Sequence, residues 1–373
     1  MPERRRICFV TGSRAEYGLM RSTLRAISKH PRLQLQIIAT GMHLDPLHGR
    51  PLSVFIGEAS KPDVVVPWPP SQTPSLTAVS TGHVTAALAE AFANLKSEVV
   101  LVVGDRVEAF AAASAAHISQ IPLAHIHGGD RALGQIDDAL RHAITKLSHI
   151  HFPATRASAH RIAQLGEDRF RIHRVGSPAL DGIDRIAKVA MPFGNKSPHS
   201  ALIVLHPVSP DIQSEARLAK AILTAAKKIF DMVIAIYPNN DPGSKGIIRV
   251  WESDPLLLSF RDLSRPHFLE ILSNTSVLVG NSSSGIIEAA SFGTPVINIG
   301  DRQKGRERNA NVIDVPANPA AIRRALKKVW NNGRPIRFPR KNIYGSGRTS
   351  EKIAHILATI PLDDRLRRKL IAY

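Results

Sequence analysis

The residues best placed to do chemistry in this 373-residue chain begin at Gly280-Asn281-Ser282-Ser283-Ser284-Gly285-Ile286-Ile287-Glu288. An apolar run, 275–279, leads into this segment and an amphipathic stretch follows it. That order predicts a strand, a tight turn and a helix start. Backbone N–H groups and three hydroxyls then meet at the positive end of a helix dipole, a setting that suits a phosphate or diphosphate. The same residues also serve as a capped turn without ligand, because serine does both jobs.

Acids, histidines and arginines gather upstream. Gly12-Ser13-Arg14-Ala15-Glu16 follows the first apolar run and lacks the GxGxxG spacing, so a nicotinamide dinucleotide is not indicated. Arg14 suits a phosphate or carboxylate, or else pairs with Glu16. Gly104-Asp105-Arg106 puts an acid at the end of a buried strand, where Asp105 is a proton-transfer group, an orienting group or a helix cap. In His125-Ile126-His127-Gly128-Gly129-Asp130 the alternation places both histidines on one side if the strand persists. A mononuclear metal wants three or more protein ligands, and no HExxH pair stands nearby, so no metal site is expected. Asp137-Asp138 opens a helix that continues to Arg141 and His142. Either acid caps that helix, pairs with Arg141, or is a carboxylate poised for proton transfer with its neighbour raising its pKa.

Two sets of alternating strands and helices must position these groups. Strands are expected at 7–11, 33–40, 63–66, 99–103, 122–126, 150–153 and 171–175, then at 201–205, 232–237, 277–279 and 295–299. Helices are expected at 19–29, 80–94, 107–118, 137–148, 214–229, 266–273, 317–329 and 345–358. Short loops between alternating elements imply parallel sheets, so the fold class is α/β. The division is an N-terminal Rossmann-like domain over 1–180, a linker over 181–200, a C-terminal Rossmann-like domain over 201–350, and a segment over 351–373 that can pack back on the first domain. In such sheets a ligand sits outside the carboxyl ends of the strands. Arg14, His43, Asp105, Arg106, His127, Asp130, His206, Asn239, Ser282 and Arg302 all fall there. Two such domains point to a bilobed enzyme with its ligand in a central cleft.

Composition narrows the classes. Hydrophobic residues make up 43% and charged residues 21%, the balance of a globular domain with a core. The net charge of +18 suits an anionic substrate or a basic surface. Lys and Arg are scattered, and aromatic content is 5%, so nucleic acid is not an expected partner. The single cysteine, Cys8, lies in an apolar run and reads as core. No apolar stretch has the length of a signal peptide or a membrane span, so the expected location is the cytoplasm and no membrane partner is expected.

Taken together, the chain resembles the hydrolysing, sialic-acid-pathway type of UDP-N-acetylglucosamine 2-epimerase. The resemblance runs from about Ile7 to Asp314. It is carried most specifically by Ile136-Asp137-Asp138-Ala139-Leu140-Arg141-His142-Ala143-Ile144-Thr145-Lys146 and Asn298-Ile299-Gly300-Asp301-Arg302-Gln303-Lys304-Gly305-Arg306. It implies a bilobed fold like the GT-B glycosyltransferases, a homodimer, and a UDP-sugar substrate, with neither metal nor nicotinamide. UDP leaves C1 and a proton leaves C2, giving a 2-acetamidoglucal that water converts to free N-acetylmannosamine.

The resemblance assigns catalytic work to Asp105, His127, Asp130, Asp137 and His206. It assigns substrate binding to Arg14, Arg106, Arg141, Asn239, Ser282, Ser283, Ser284, Gly285, Glu288 and Arg302, with Glu288 on the ribose hydroxyls. His127 stands where some relatives carry the glutamate given acid/base work, which leaves that role to His127 or to Asp130. Asp130 is shorter by one methylene than the glutamate of many relatives, and Leu133 replaces a polar residue of some. The sugar can therefore differ, a 4-acetamido-4,6-dideoxy sugar of the bacillosamine type being one option. Further alternatives are a non-hydrolysing epimerase and a GT-B glycosyltransferase.

Overall fold

The computed structural model describes residues 4–44, 52, 55, 61–69, 73–131, 137–183, 199–238, 241–261, 263–330 and 334–373. The chain divides into two compact units, Met1–Asp181 with Tyr344–Tyr373, and Gly182–Ile343. Residues 184–198, most of the expected linker, lie outside the described residues, as does Asn239.

In the first unit the strands are β1 (Arg5–Thr11), β2 (Leu33–Ala39), β3 (Val64–Val65), β4 (Val99–Val103), β5 (Leu123–Ile126) and β6 (Ile150–Phe152). They form one parallel sheet in the order β3-β2-β1-β4-β5-β6. Between them run the helices α1 (Arg14–Lys29), α2 (Pro74–Leu95), α3 (Val107–Ile118), α4 (Asp137–Leu147) and α5 (Arg156–Gln164). In the second unit β7 (Ser200–Val204), β8 (Met232–Ile236), β9 (Leu258–Phe260), β10 (Val277–Gly280), β11 (Val296–Ile299) and β12 (Val312–Val315) pair in parallel in the order β12-β11-β10-β7-β8-β9. Its helices are α6 (Ile212–Lys227), α7 (Ser244–Glu252), α8 (Arg265–Asn274), α9 (Ser283–Ile287) and α10 (Pro319–Trp330). The chain ends in the first unit with α11 (Thr349–Thr359) and α12 (Asp364–Arg367). Each sheet is built outward from its first strand to one side, then from the same strand to the other. Both are therefore Rossmann-like, with a reversal point at β1/β4 and another at β7/β10.

Alternation along β1 explains the layers. Ile7 and Phe9 pack with Met20, Leu24 and Ile27 of α1 and with Ile353 and Leu357 of α11. Cys8 and Val10 face the other way, onto Leu88 and Phe92 of α2 and the alanine-rich α3. Helices on both faces follow from strands that are apolar on both faces. Cys8 is fully buried, and burial pushes its thiol up to about 12. In the second unit Ile203 and Leu205 pack with Ile222 of α6, Ile247 and Trp251 of α7, and Leu326 of α10. Among the described residues no helix is long and apolar enough to cross a membrane.

The expected strand at 171–175 is replaced by a 3-10 turn, Arg169–Arg171, with only an isolated bridge from Ile172 to His151. At its start Arg171 is buried, and its guanidinium donates to the carbonyls of Leu366 (2.5 Å), Arg365 (2.8 Å) and Arg368 (2.9 Å), holding the C-terminal turn. Beyond it the backbone still runs beside β6, the His173 N–H donating to the His151 carbonyl at 2.9 Å and the Val175 N–H to the Pro153 carbonyl at 3.2 Å.

Candidate active site

The polar cluster of the first unit lies just past the carboxyl ends of β4 and β5. β5 stops at Ile126, and His127 takes the left-handed conformation with φ 62°. The strand therefore does not persist through His127, which was the condition for His125 and His127 to share one side. His125 is wholly buried and spends both ring nitrogens on the protein, Nε2 on the Gly104 carbonyl (2.8 Å) and Nδ1 on the Thr145 hydroxyl (3.2 Å). Burial pulls its pKa down to about 3, so the ring is neutral.

His127 turns instead to Asp130. Its Nδ1 lies 2.8 Å from Asp130 Oδ2, and its Nε2 lies 3.0 Å from the Ser177 hydroxyl. Ser158 donates to the second Asp130 oxygen at 2.7 Å. Burial pushes the Asp130 carboxyl up. The His127 ring, Arg141 and the Ser158 hydroxyl outweigh it and hold the group well below the usual carboxylate range. An ionised carboxylate only accepts, so the Nδ1 that faces it carries a proton. Ser177 was not among the residues singled out in the sequence. It is fully buried, and its main-chain N–H donates to Tyr344 at 2.7 Å.

Arg141, on α4, ties this pair to Asp105. One terminal nitrogen donates to the His127 carbonyl at 3.0 Å and the other to Asp105 Oδ2. Of the alternatives left open at the two helix starts, those for the Asp137 side chain lie outside the described residues. Asp105 does not cap α3, whose N-cap is Arg106, and Asp138 lies 3.5 Å from His142. Asp137 is the first residue of α4. Arg141 is buried, while the Asp105 side chain keeps 22% of its surface exposed. The more exposed group of the pair is thus the one that can meet a ligand.

A second acidic group underlies the ends of β1 and β2. Arg106 grips Glu108 through two nitrogens at 2.9 and 3.1 Å. Gly12 and Gly41 lie against the Glu108 side chain so closely that a Cβ would come within 2.7 and 2.6 Å of it. Glu16 accepts from the Gly12 N–H at 2.8 Å, and Arg14 is exposed. Burial and the Glu108 charge push Glu16 up to about 7. His43 packs beside Phe55 with Nε2 3.0 Å from the Thr11 hydroxyl; burial, then Arg14 and Arg106, bring it down to about 4.

The serine turn of the second unit sits at its own reversal point. Gly280 has φ 142°, and a Cβ there would come within 2.0 Å of the Val204 carbonyl, so β10 approaches β7 as only glycine permits. Asn281, beside the expected serines, spans the two strands. It accepts from the His206 N–H and donates to the His206 carbonyl, both at 2.8 Å. Ser282 caps α9, its hydroxyl accepting from the Ser284 N–H at 3.3 Å and lying 2.9 Å from the Ser284 hydroxyl. Gly285 packs inside the short helix. Arg302 and Gln303 donate to the Asn281 carbonyl at 3.2 and 2.9 Å. Glu288 is buried and paired with Arg265 at 2.6 Å; burial raises its pKa and the arginine opposes the rise. Within this unit His206, Ser282, Ser283 and Arg302 therefore share one sheet edge, with hydroxyl, N–H and cationic groups of the kind an anionic ligand requires.

Residues 25–358 match the family model described as UDP-N-acetylglucosamine 2-epimerase. A Legionella pneumophila protein named UDP-N,N'-diacetylbacillosamine 2-epimerase (hydrolyzing) is 38% identical over 379 residues, 99% of this chain and 100% of its own. A UDP-N-acetylglucosamine 2-epimerase of Neisseria meningitidis serogroup B is 30% identical over 364 residues, 95% of each chain. Among solved structures, the Neisseria meningitidis UDP-GlcNAc 2-epimerase bound to UDP-GlcNAc is similar with a TM-score of 0.78 at 21% identity, over 94% of this chain and 99% of that one. That last likeness is one of fold.

Proposed function

We propose, on the premise that this chain belongs to the UDP-N-acetylglucosamine 2-epimerase family, that it is a hydrolysing epimerase converting UDP-N-acetylglucosamine and water to N-acetylmannosamine and UDP. The observation that carries the reading is the Asp105–Arg141–His127–Asp130 network at the sheet edge of the first unit. It offers fixed carboxylates to a reaction that builds positive charge at C1 and removes a proton from C2.

In the proposed sequence the C1–O bond breaks and UDP leaves with the electron pair. A carboxylate takes the C2 proton, leaving a C1=C2 double bond. Water then adds its oxygen to C1, and a proton returns to C2 from the opposite face. Asp105 and Asp137 are assigned to the sugar. Both ring nitrogens of His127 are already engaged, so we assign it, with Asp130, to holding negative charge in place rather than to touching C2 directly. The departing diphosphate is assigned to the serine turn, His206 and Arg302, donors aimed at charge that grows in the transition state. Arg14, Arg106, Asn239 and Glu288 are assigned to binding the nucleotide sugar. A homodimer and a cytoplasmic location belong to the same proposal.

A second reading keeps the chemistry and changes the sugar to the 4-acetamido-4,6-dideoxy analogue. The 38% identity to the Legionella protein over the full length of both chains supports it. Offering both UDP-sugars at equal concentration and following UDP release decides between them. The favoured substrate has the higher kcat/KM, and equal inertness toward both would remove the proposed reaction.

A further inference from the structure

Helix α4 is held at both ends. Arg141, in its second turn, reaches Asp105 and the His127 carbonyl. Its last turn is held by a residue far along the chain. Lys369 donates from Nζ to the carbonyls of Lys146 and Ser148, each at 2.5 Å. These are carbonyls that a helix end leaves without intrahelical partners. The same ammonium lies 2.8 Å from Glu167, a carboxylate with 1% of its side chain exposed. Glu167 also receives Lys146 at 2.9 Å and faces His151 Nε2 at 3.0 Å. Arg171 clasps the carbonyls of Arg365, Leu366 and Arg368, which fixes the backbone just before Lys369. The Ala372 N–H donates to Gly166 at 3.0 Å, just beyond it.

A cation on helix-end carbonyls is favourable in itself, and here it is also buried against a carboxylate. A surface tail needs no such arrangement, since exposed ion pairs contribute little.

We propose that Lys369 is a positioning residue: by capping the last turn of α4 and locking it to Glu167, it fixes the helix from which Arg141 orients Asp105 and His127. The C-terminal segment is then part of the machinery that aligns Asp105 and the His127–Asp130 pair, acting on them through α4. The kinetic part of this inference rests on the epimerase reading; the structural part does not.

The test compares Lys369→Met, which keeps the stem and removes the donors, with Lys369→Arg, which restores a cationic donor, in the full chain. Three readouts are taken: amide hydrogen exchange, UDP binding by calorimetry, and turnover of the UDP-sugar. Lys369→Met is expected to speed exchange in α4 while leaving the second unit and UDP affinity as in the wild type. kcat is expected to fall about 10- to 100-fold at similar KM, the scale of a small misplacement of catalytic groups. Lys369→Arg should recover most of both effects. Unchanged α4 exchange in Lys369→Met, or exchange that rises equally in both units, would overturn the proposal. Altered α4 exchange in a chain whose wild type turns over no UDP-sugar would keep the latch and remove the epimerase reading. If Lys369→Met fails to fold, wild-type exchange still decides. The proposal requires the last turn of α4 and residues 366–372 to open together, and independent opening contradicts it.

Discussion

Arg141 and Asp105 stand 36 positions apart in sequence and meet as a guanidinium–carboxylate pair beside the His127 carbonyl. One fork thereby sets the position of the half-buried acid and of the left-handed turn that carries His127. Replacing Arg141 by Met is expected to lower kcat by about 10²- to 10³-fold, the range seen when an oriented polar group is removed from an active site. Lysine should not restore it, since a single ammonium cannot reproduce two divergent bonds. Steady-state kinetics alongside a thermal melt separate this loss from unfolding, and a near-wild-type Arg141→Lys enzyme would show the fork to be dispensable.

Ser177→Ala leaves Nε2 of His127 buried without its hydrogen-bond partner. Urea unfolding should register a loss of about 1–3 kcal/mol, the cost of an unsatisfied buried polar atom. Ser177→Thr keeps the hydroxyl and should lose less. Equal stability of Ser177→Ala and wild type would mean that the hydroxyl contributes nothing to the ring's placement.

His125 gives stability a pH slope of predictable sign. Its folded pKa, about 3, lies below the unfolded value of about 6.5, so the unfolded chain takes up the proton first. Stability from this group is complete above pH ~6.5 and falls as the pH drops toward 3, by at most about 1.4 kcal/mol per unit. His125→Gln should flatten the curve of unfolding free energy against pH between 6 and 4. A curve of unchanged slope would contradict the buried, neutral assignment.

Gly280→Ala would press a methyl group onto the Val204 carbonyl at a backbone angle that L-residues avoid. The expected cost is roughly 2–4 kcal/mol, combining strain and overpacking. Because the serine turn follows directly, UDP affinity should fall in the same variant. Calorimetry showing wild-type UDP affinity would detach the turn from nucleotide binding.

The sequence made the apolar strands legible because each is short, unbroken and closed by a polar turn, as in 99–103 before Gly104-Asp105. It made α7 hard to see, although Ile247 and Trp251 at i, i+4 are buried, because nine residues after Pro242-Gly243 look like loop. β9 and β12 escaped for a similar reason: they are edge strands of three and four residues. The acids and arginines were found by their place at strand ends, but their pairing was not. Asp105 to Arg141 and His127 to Ser177 are contacts that only the assembled sheet creates. The positive φ of His127 had no mark in residue type, since glycine, the usual sign, stands one position later.

The most direct test is to incubate the pure protein with UDP-N-acetylglucosamine in D2O and follow it by proton NMR, with the 4-acetamido-4,6-dideoxy analogue in parallel. The predicted result with one of the two is release of UDP and appearance of the free 2-epimerised sugar, with deuterium at C2. A mixture of intact UDP-sugars without free sugar would contradict hydrolysis. Free sugar that retains its C2 proton would contradict the elimination.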